Sequence, residues 1–271
     1  MSGRIRLLVS DIDGTLIRPD KSVGSPVVEA VGRLRDAGCV MAVISARPVS
    51  GMLPIVRKLG LDGPMGAYNG GTIARPDGVV TFAEHLDRET AAEAVRRFDQ
   101  PWLTTWLFAD GRWRTTDTRN PHTDSERVTA DQEPDVVEGF DPWLGRADKI
   151  VAVSDEHDRL AALEAETAEA LGDRAAVARS QRYYLDVTAP DANKGAGVRR
   201  LAEAYGVALE EVAVIGDGEN DVRMFAVAGF AIAMGNGSDH VRAAASAATA
   251  SNADDGVAQA IDDLILPRVR A

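Results

Sequence analysis

Four short apolar segments, 5–10, 40–44, 65–68 and 212–215, run directly into polar residues, and this pattern constrains the fold more than any other feature of the chain. Continuous apolar runs of this length suit strands buried on both faces, as in a parallel sheet. Between the first two, Ser25 as N-cap, Pro26 at N1, Val27, Val28, Val31 and Leu34 on one face and Gly38 beyond the end describe an amphipathic helix. The three together form a βαβ unit. Helices expected over 49–59, 193–205, 219–227, 238–245 and 254–265 continue the alternation of an α/β fold with a Rossmann-like parallel sheet core.

The middle of the chain follows another pattern. A helix is expected over 88–98, and 103–109, the Asp110-Gly111 turn and 112–116 read as a hairpin. The stretch 120–142, rich in Pro, Asp and Glu, reads as mostly loop; a strand over 149–153, a helix over 155–171 and strands over 175–179 and 182–187 follow. The expected organisation is a core of residues 1–82 and 188–271 interrupted by an inserted α/β cap, 83–187. The hinges are placed at 80–84 and at Thr188-Ala189-Pro190-Asp191, where proline and small residues break the pattern. The chain's 271 residues are enough for two such domains.

The net charge of −12 argues against a nucleic-acid partner, because binding a polyanion needs clustered cations. The longest mostly apolar uncharged stretch, 225–235, falls short of the roughly 20 residues that cross a bilayer. Only Leu7, Leu8 and Val9 separate Arg6 from Ser10 and Asp11, too few for a secretory leader, so a cytoplasmic protein with no membrane association is expected. The single cysteine, Cys39, opens an apolar run and reads as a buried small hydrophobe.

The first strand ends in Asp11-Ile12-Asp13-Gly14-Thr15. In extended chain, residues i and i+2 share a side, and two carboxylates so placed resist joint ionisation unless a cation neutralises them or one keeps its proton. An Asp-Gly turn with capping carboxylates is the plain structural alternative. The strand over 212–215 is followed by Gly216-Asp217-Gly218-Glu219-Asn220-Asp221, a second acidic group at a strand end. Carboxylate and carbonyl oxygens from the two groups suit Mg²⁺ beside a phosphate. An EF-hand calcium loop is excluded: counting from Asp217, Val222 and Ala228 stand where that loop needs Gly and Glu. Ser45-Ala46-Arg47 puts a hydroxyl at the end of the second strand ahead of a helix start, where backbone N–H groups accept phosphate oxygens. Lys194, followed by Gly195 and Gly197 and with Asp191 as expected N-cap, is a cation in a first helical turn, where the macrodipole disfavours it, so either function or close packing must hold it there.

In this order, Asp-x-Asp-Gly-Thr, a strand-end Ser, Lys before Gly and Gly-Asp-x-x-x-Asp resemble the four motifs of the haloacid dehalogenase-like phosphatase superfamily, and they span the chain. Asn69-Gly70-Gly71, the insertion and the run from Gly216 to Met224 resemble its Cof-like subgroup, with Ser45-Ala46-Arg47 standing where that subgroup usually has Thr-Gly-Arg. The resemblance implies a Mg²⁺-dependent phosphatase acting on a small phosphorylated metabolite such as a sugar phosphate, through an aspartyl-phosphate intermediate. It casts Asp11 as nucleophile and Asp13 as general acid and base. Asp11, the Asp13 carbonyl and Asp217 become metal ligands, and Lys194 neutralises charge. Ser45, Arg47 and Asn69 become phosphate or substrate contacts, with Asn220 and Asp221 ordering the metal site. Dehalogenation is disfavoured, because dehalogenases lack the second acid.

Two other functions fit parts of this pattern. A phosphosugar mutase would use the same aspartyl phosphate and return the phosphoryl group to a sugar. A non-catalytic phosphoacceptor or ligand-binding module carries its phosphorylated Asp at the end of a later strand. Within the cap, Trp102, Trp106 and Trp113 read either as core or as a stacking surface for a sugar, and Arg114, His122, Arg182 and Tyr184 are polar candidates without a pattern. His85, His122, His157 and His240 show no metal-ligand spacing.

Overall fold

Leu7, Leu8 and Val9 are wholly buried, a condition a strand meets only with neighbours on both edges and layers on both faces. The strand Leu7–Ser10 pairs in parallel with Val40–Val43 on one side and Val212–Gly216 on the other. Phe230–Ala233 and Ala247–Ala248 extend the sheet beyond Val212–Gly216, so all five strands are parallel. From Leu7–Ser10 the chain moves outward in one direction to Val40–Val43, whereas the later strands build in the other. The carboxyl end of Leu7–Ser10 is therefore a topological switch point, the usual place for a ligand in an open sheet.

This computed structural model describes residues 4–269, so the outermost residues of the expected core, 1–3 and 270–271, lie outside the description. The chain forms two compact units: Met1–Ser45, Leu53–Thr81 and Asn193–Ala271 make one, and Ala46–Met52 with Phe82–Ala192 make the other. In the first, Leu7, Val9, Ala42, Val212 and Val214 pack with Val198, Leu201 and Met224. Cys39 is buried, and burial pushes its thiol up to about 12, which leaves it an unreactive apolar group.

The helix Ser25–Asp36 begins one residue earlier than the capping pattern suggests: Gly24 is the N-cap and Ser25 is already helical, ahead of Pro26. The segment 65–68 also differs from a simple parallel strand. Met65–Ala67 meets the parallel sheet through an Ile44–Gly66 bridge and then pairs antiparallel with Thr72–Ala74. Tyr68, Asn69 and Gly70 all take positive φ, and that run reverses the chain.

The second unit is a six-stranded sheet in the order Ala176–Gln181, Tyr184–Thr188, Ala147–Val153, Thr104–Ala109, Arg112–Thr115, Asp135–Val136, antiparallel except for its last pair. Leu107, Ala109, Ile150, Ala152, Leu185 and Val187 pack with Phe98 of helix Arg88–Phe98 and with Leu160 and Leu163 of helix His157–Leu171. Trp106 and Trp113 are wholly buried and meet edge to face, so they belong to the interior. Trp102 lies under Arg159. The stretch expected to be mostly loop contains the helix Thr123–Ala130. Its buried positions are Thr123, Glu126 and Ala130, so the helix has no apolar stripe by which its sequence could announce it. Among the described residues, no helix is long and apolar enough to cross a membrane.

Candidate active site

Asp11 extends the ladder of the first strand by one step, its N–H donating to the Ile215 carbonyl, and its side chain enters the sheet edge only 4 % exposed. Lys194, 2 % exposed at the first position of the helix Lys194–Tyr205, sends Nζ to Asp11 Oδ1 and Asp221 Oδ1, each at 2.5 Å. The N-cap of this helix is Asn193, whose Oδ1 accepts from the Ala196 N–H, and not Asp191. A turn from Ala189 to Ala192 delays the helix start. Close packing accounts for Gly197: a Cβ there would lie 2.7 Å from the Gly70 Cα and 2.5 Å from Ile44.

Asp221 Oδ2 accepts from the N–H groups of Asp217 (2.9 Å) and Gly218 (2.8 Å), so both oxygens of Asp221 are engaged and the loop after Val212–Gly216 is folded around it. Asp217 takes Thr15 Oγ1 on Oδ1 at 2.8 Å and Asn236 Nδ2 on Oδ2 at 3.3 Å. Gly14 makes this approach possible. Its φ is +81°, and a Cβ would stand 2.2 Å from the Asp217 carboxylate.

Asp11, Asp217 and Asp221 can each offer an oxygen within 4.8 Å of the others. Three carboxylates face the single ammonium of Lys194. Burial, above all, raises the proton affinity of Asp11, to about 8, with Lys194 opposing and Asp221 adding to the rise. Burial likewise raises Asp217. Lys194 is disfavoured by burial but held above its ordinary value by Asp11 and Asp221, so it stays cationic. An all-oxygen group with excess negative charge, deprived of water, fits a hard divalent cation such as Mg²⁺.

Asp13 is partly exposed and pairs with Lys21 at 3.0 Å. Ser45 is buried, its N–H donating to the Gly66 carbonyl and its own carbonyl accepting from the Asn69 N–H at 2.7 Å. Asn69 Oδ1 accepts from Asn220 Nδ2 at 3.2 Å. The fold thus brings Asp11, Lys194, Asp217 and Asp221 into direct contact or near-contact, links Ser45, Asn69 and Asn220 in a chain of contacts, and places Arg47 in the second unit, where Nη1 donates to the Gly51 carbonyl.

The sequence motif includes Thr15 without giving it a role, and Lys21, Asn236 and Asn252 escaped sequence reasoning. Asn236 Nδ2 also holds the Gly14 carbonyl at 2.8 Å, Asn236 Oδ1 accepts from the Asn252 N–H, and Asn252 Nδ2 holds the Ile17 carbonyl. A signal for Asn236 was present: Gly235-Asn236-Gly237 follows the apolar strand Phe230–Ala233 at the same carboxyl edge.

A family model described as haloacid dehalogenase-like hydrolase matches residues 8–261. The chain is 29% identical over 245 residues to an HMP-PP phosphatase of Cronobacter sakazakii, covering 85% of this chain and 84% of that protein. It is 30% identical over 248 residues to an HMP-PP phosphatase of Klebsiella pneumoniae, with 88% and 87% covered. A crystal structure of a haloacid dehalogenase-like hydrolase from Bacteroides thetaiotaomicron superposes with a TM-score of 0.87 at 28% identity, covering 96% of this chain and 99% of that one.

Proposed function

Because the chain belongs to the haloacid dehalogenase-like hydrolase family, we propose that it is a Mg²⁺-dependent phosphatase that hydrolyses a small phosphorylated metabolite, a sugar phosphate in particular, in the cytoplasm. The observation that carries this reading is the buried Asp11–Lys194–Asp221 contact beside Asp217 at the switch point of the sheet. Relatives named phosphatases support the reaction class.

In this reading an Asp11 carboxylate oxygen attacks phosphorus while the bond from phosphorus to the ester oxygen breaks. A carboxylate needs no activating base once ionised. Asp13, on the exposed side of the motif with Lys21 at its carboxylate, gives a proton to the leaving alkoxide and then takes one from the water that attacks phosphorus and frees Asp11. Lys194 stays charged beside Asp11 and offsets negative charge on the phosphoryl group, and Asp221 fixes its position. The Ser45 hydroxyl donates to a phosphate oxygen. Arg47 and Asn69 contact the substrate, and Asn220 steadies Asn69. Asp11, the Asp13 carbonyl and Asp217 would hold Mg²⁺, which supplies positive charge that offsets repulsion between the nucleophile and a phosphate dianion. The insertion 83–187 selects the substrate's organic part.

The direct test is Mg²⁺-dependent release of inorganic phosphate from a panel of phosphorylated metabolites. Appearance of an isomeric phosphate ester in place of free phosphate would instead identify a mutase. Asp217→Ala is expected to shift the Mg²⁺ titration to much higher concentration, since it removes one of few protein oxygens from the site; an unchanged titration contradicts its role as a ligand. Asp13→Asn is expected to lower kcat/KM, which reports the first step alone, more for alkyl phosphates than for an activated aryl phosphate, whose leaving group needs no proton, and equal losses of kcat/KM on both contradict the acid role.

A further inference from the structure

Phe230–Ala233 and Ala247–Ala248, the outer strands on one side of the parallel sheet, bring no carboxylate to the site, yet the loops that follow them reach back to it. Asn236, after the first, sends Nδ2 to the Gly14 carbonyl at 2.8 Å and to Asp217 Oδ2 at 3.3 Å. Asn252, after the second, donates its N–H to Asn236 Oδ1 at 3.0 Å and its Nδ2 to the Ile17 carbonyl at 2.8 Å. A backbone N–H only donates, so the Asn252 contact fixes which end of the Asn236 amide is oxygen and turns the amide nitrogen toward Gly14 and Asp217. Turning the amide over would set its oxygen against a carbonyl and a carboxylate.

These contacts reach two of the three groups proposed to hold Mg²⁺. Asp217 is reached directly: with Thr15 Oγ1 on Oδ1 and Asn236 Nδ2 on Oδ2, its carboxylate is gripped at both oxygens. The Asp13 carbonyl is reached through the chain. It lies in the rigid peptide plane that joins Asp13 to Gly14, and only the φ and ψ of Gly14 separate that plane from the next, which contains the carbonyl that Asn236 holds. Gly14, at φ +81°, has no Cβ to limit these torsions, so the restraint must come from outside the residue. Asn236 is exposed and fills no space in the core, so packing does not account for it.

We propose that Asn236, which lies outside the four motifs, is a positioning residue for the divalent cation: it fixes the Asp13 carbonyl and the Asp217 carboxylate relative to each other before the cation binds, and Asn252 holds it in place. The inference rests on the ligand assignment of the phosphatase reading. Asp13 belongs to the loop after Leu7–Ser10 and Asp217 to the loop after Val212–Gly216, so without the tie two loops must be ordered as the cation binds, and that ordering lowers affinity. Mg²⁺, which demands near-ideal octahedral geometry, is sensitive to such loosening.

The test measures Mn²⁺ binding to substrate-free, full-length wild type, Asn236→Ala and Thr249→Val by the loss of the free-ion paramagnetic resonance signal, with Mg²⁺ as competitor. Mn²⁺ takes the same oxygen ligands in the same octahedral arrangement. Thr249→Val removes a tie of similar kind, from Thr249 Oγ1 to the Gly256 carbonyl at 2.8 Å, that touches none of the proposed ligands. Asn236→Ala is expected to weaken binding of both cations about 10- to 100-fold, and Thr249→Val less than about twofold. In turnover of p-nitrophenyl phosphate by Asn236→Ala, the Mg²⁺ concentration at half-maximal rate should rise by the same factor, while kcat at saturating Mg²⁺ stays within about threefold of wild type. Unchanged cation affinity in Asn236→Ala overturns the proposal. So does an equal loss in Asn236→Ala and Thr249→Val that follows their melting temperatures, which would make the tie a matter of folding alone. Asn236→Ser, too short to reach Gly14 and Asp217 together, decides the question if Asn236→Ala does not fold. A wild type that binds neither cation overturns the proposal together with the metal assignment beneath it.

Discussion

Asp11→Asn is expected to lower kcat by at least about a thousandfold on every phosphate ester, because an amide is a poor nucleophile and a weaker ligand than a carboxylate for the proposed divalent cation. The loss should not come from unfolding. Burial raises the Asp11 carboxyl from its ordinary 3.8 to about 8, so the folded chain binds a proton there that the unfolded chain has already released. Whatever stability Asp11 contributes is complete below the lower value and is lost as pH rises through the higher one. In chelator, the melting temperature of the Asn variant should therefore gain on the wild type as pH rises from about 4 to about 8. Added Mg²⁺ should narrow the gap by stabilising the wild-type carboxylate. Near-wild-type turnover would refute the nucleophile, and a difference in melting temperature that does not move toward the variant as pH rises over this range would refute the raised proton affinity of the buried Asp11.

Lys194→Met should cost about 2–4 kcal/mol of transition-state stabilisation, a fall of about 30- to 1000-fold in kcat/KM. The ammonium sits between Asp11 and Asp221, so its removal also leaves two buried carboxylates facing each other. Stability and catalysis are separable here. Excess Mg²⁺ should recover part of the lost melting temperature, since a divalent cation relieves the same repulsion, but it should not recover kcat/KM, because it does not replace the ammonium at the phosphoryl group. A loss of less than tenfold, or full rescue of turnover by Mg²⁺, contradicts the role.

The parts of the site that the sequence made visible are those whose chemistry is local. Asp11 and Asp13 stand where an apolar strand stops, Asp217 and Asp221 stand where another stops, and Lys194 is a cation in a first helical turn. Each is conspicuous against its immediate neighbours. Asn236 and Asn252 act instead through contacts with residues more than 200 positions away, Gly14 and Ile17, and a neutral amide in a turn has an ordinary local explanation. The same division runs through the second unit. The helix Arg88–Phe98 carries an Asp87 cap and an apolar face, whereas Thr123–Ala130 buries Thr123 and Glu126 and carries no periodic signal. Lys149 and Asp186 lie inside the buried strands Ala147–Val153 and Tyr184–Thr188, where only the pairing register reveals that they share a face.

A covalent phosphoryl group on Asp11 is the central claim, and Asp13→Asn with p-nitrophenyl phosphate tests it most directly. The aryl leaving group departs without a proton, so the first step survives, while the water step loses its base and becomes slow. Rapid mixing should give a burst of p-nitrophenol close to one per chain, with phosphate release lagging behind. Mass spectrometry of the quenched protein should find one added phosphoryl group on the peptide containing Asp11. Phosphate appearing in step with p-nitrophenol, with no mass added to that peptide while turnover continues, would contradict a mechanism through Asp11.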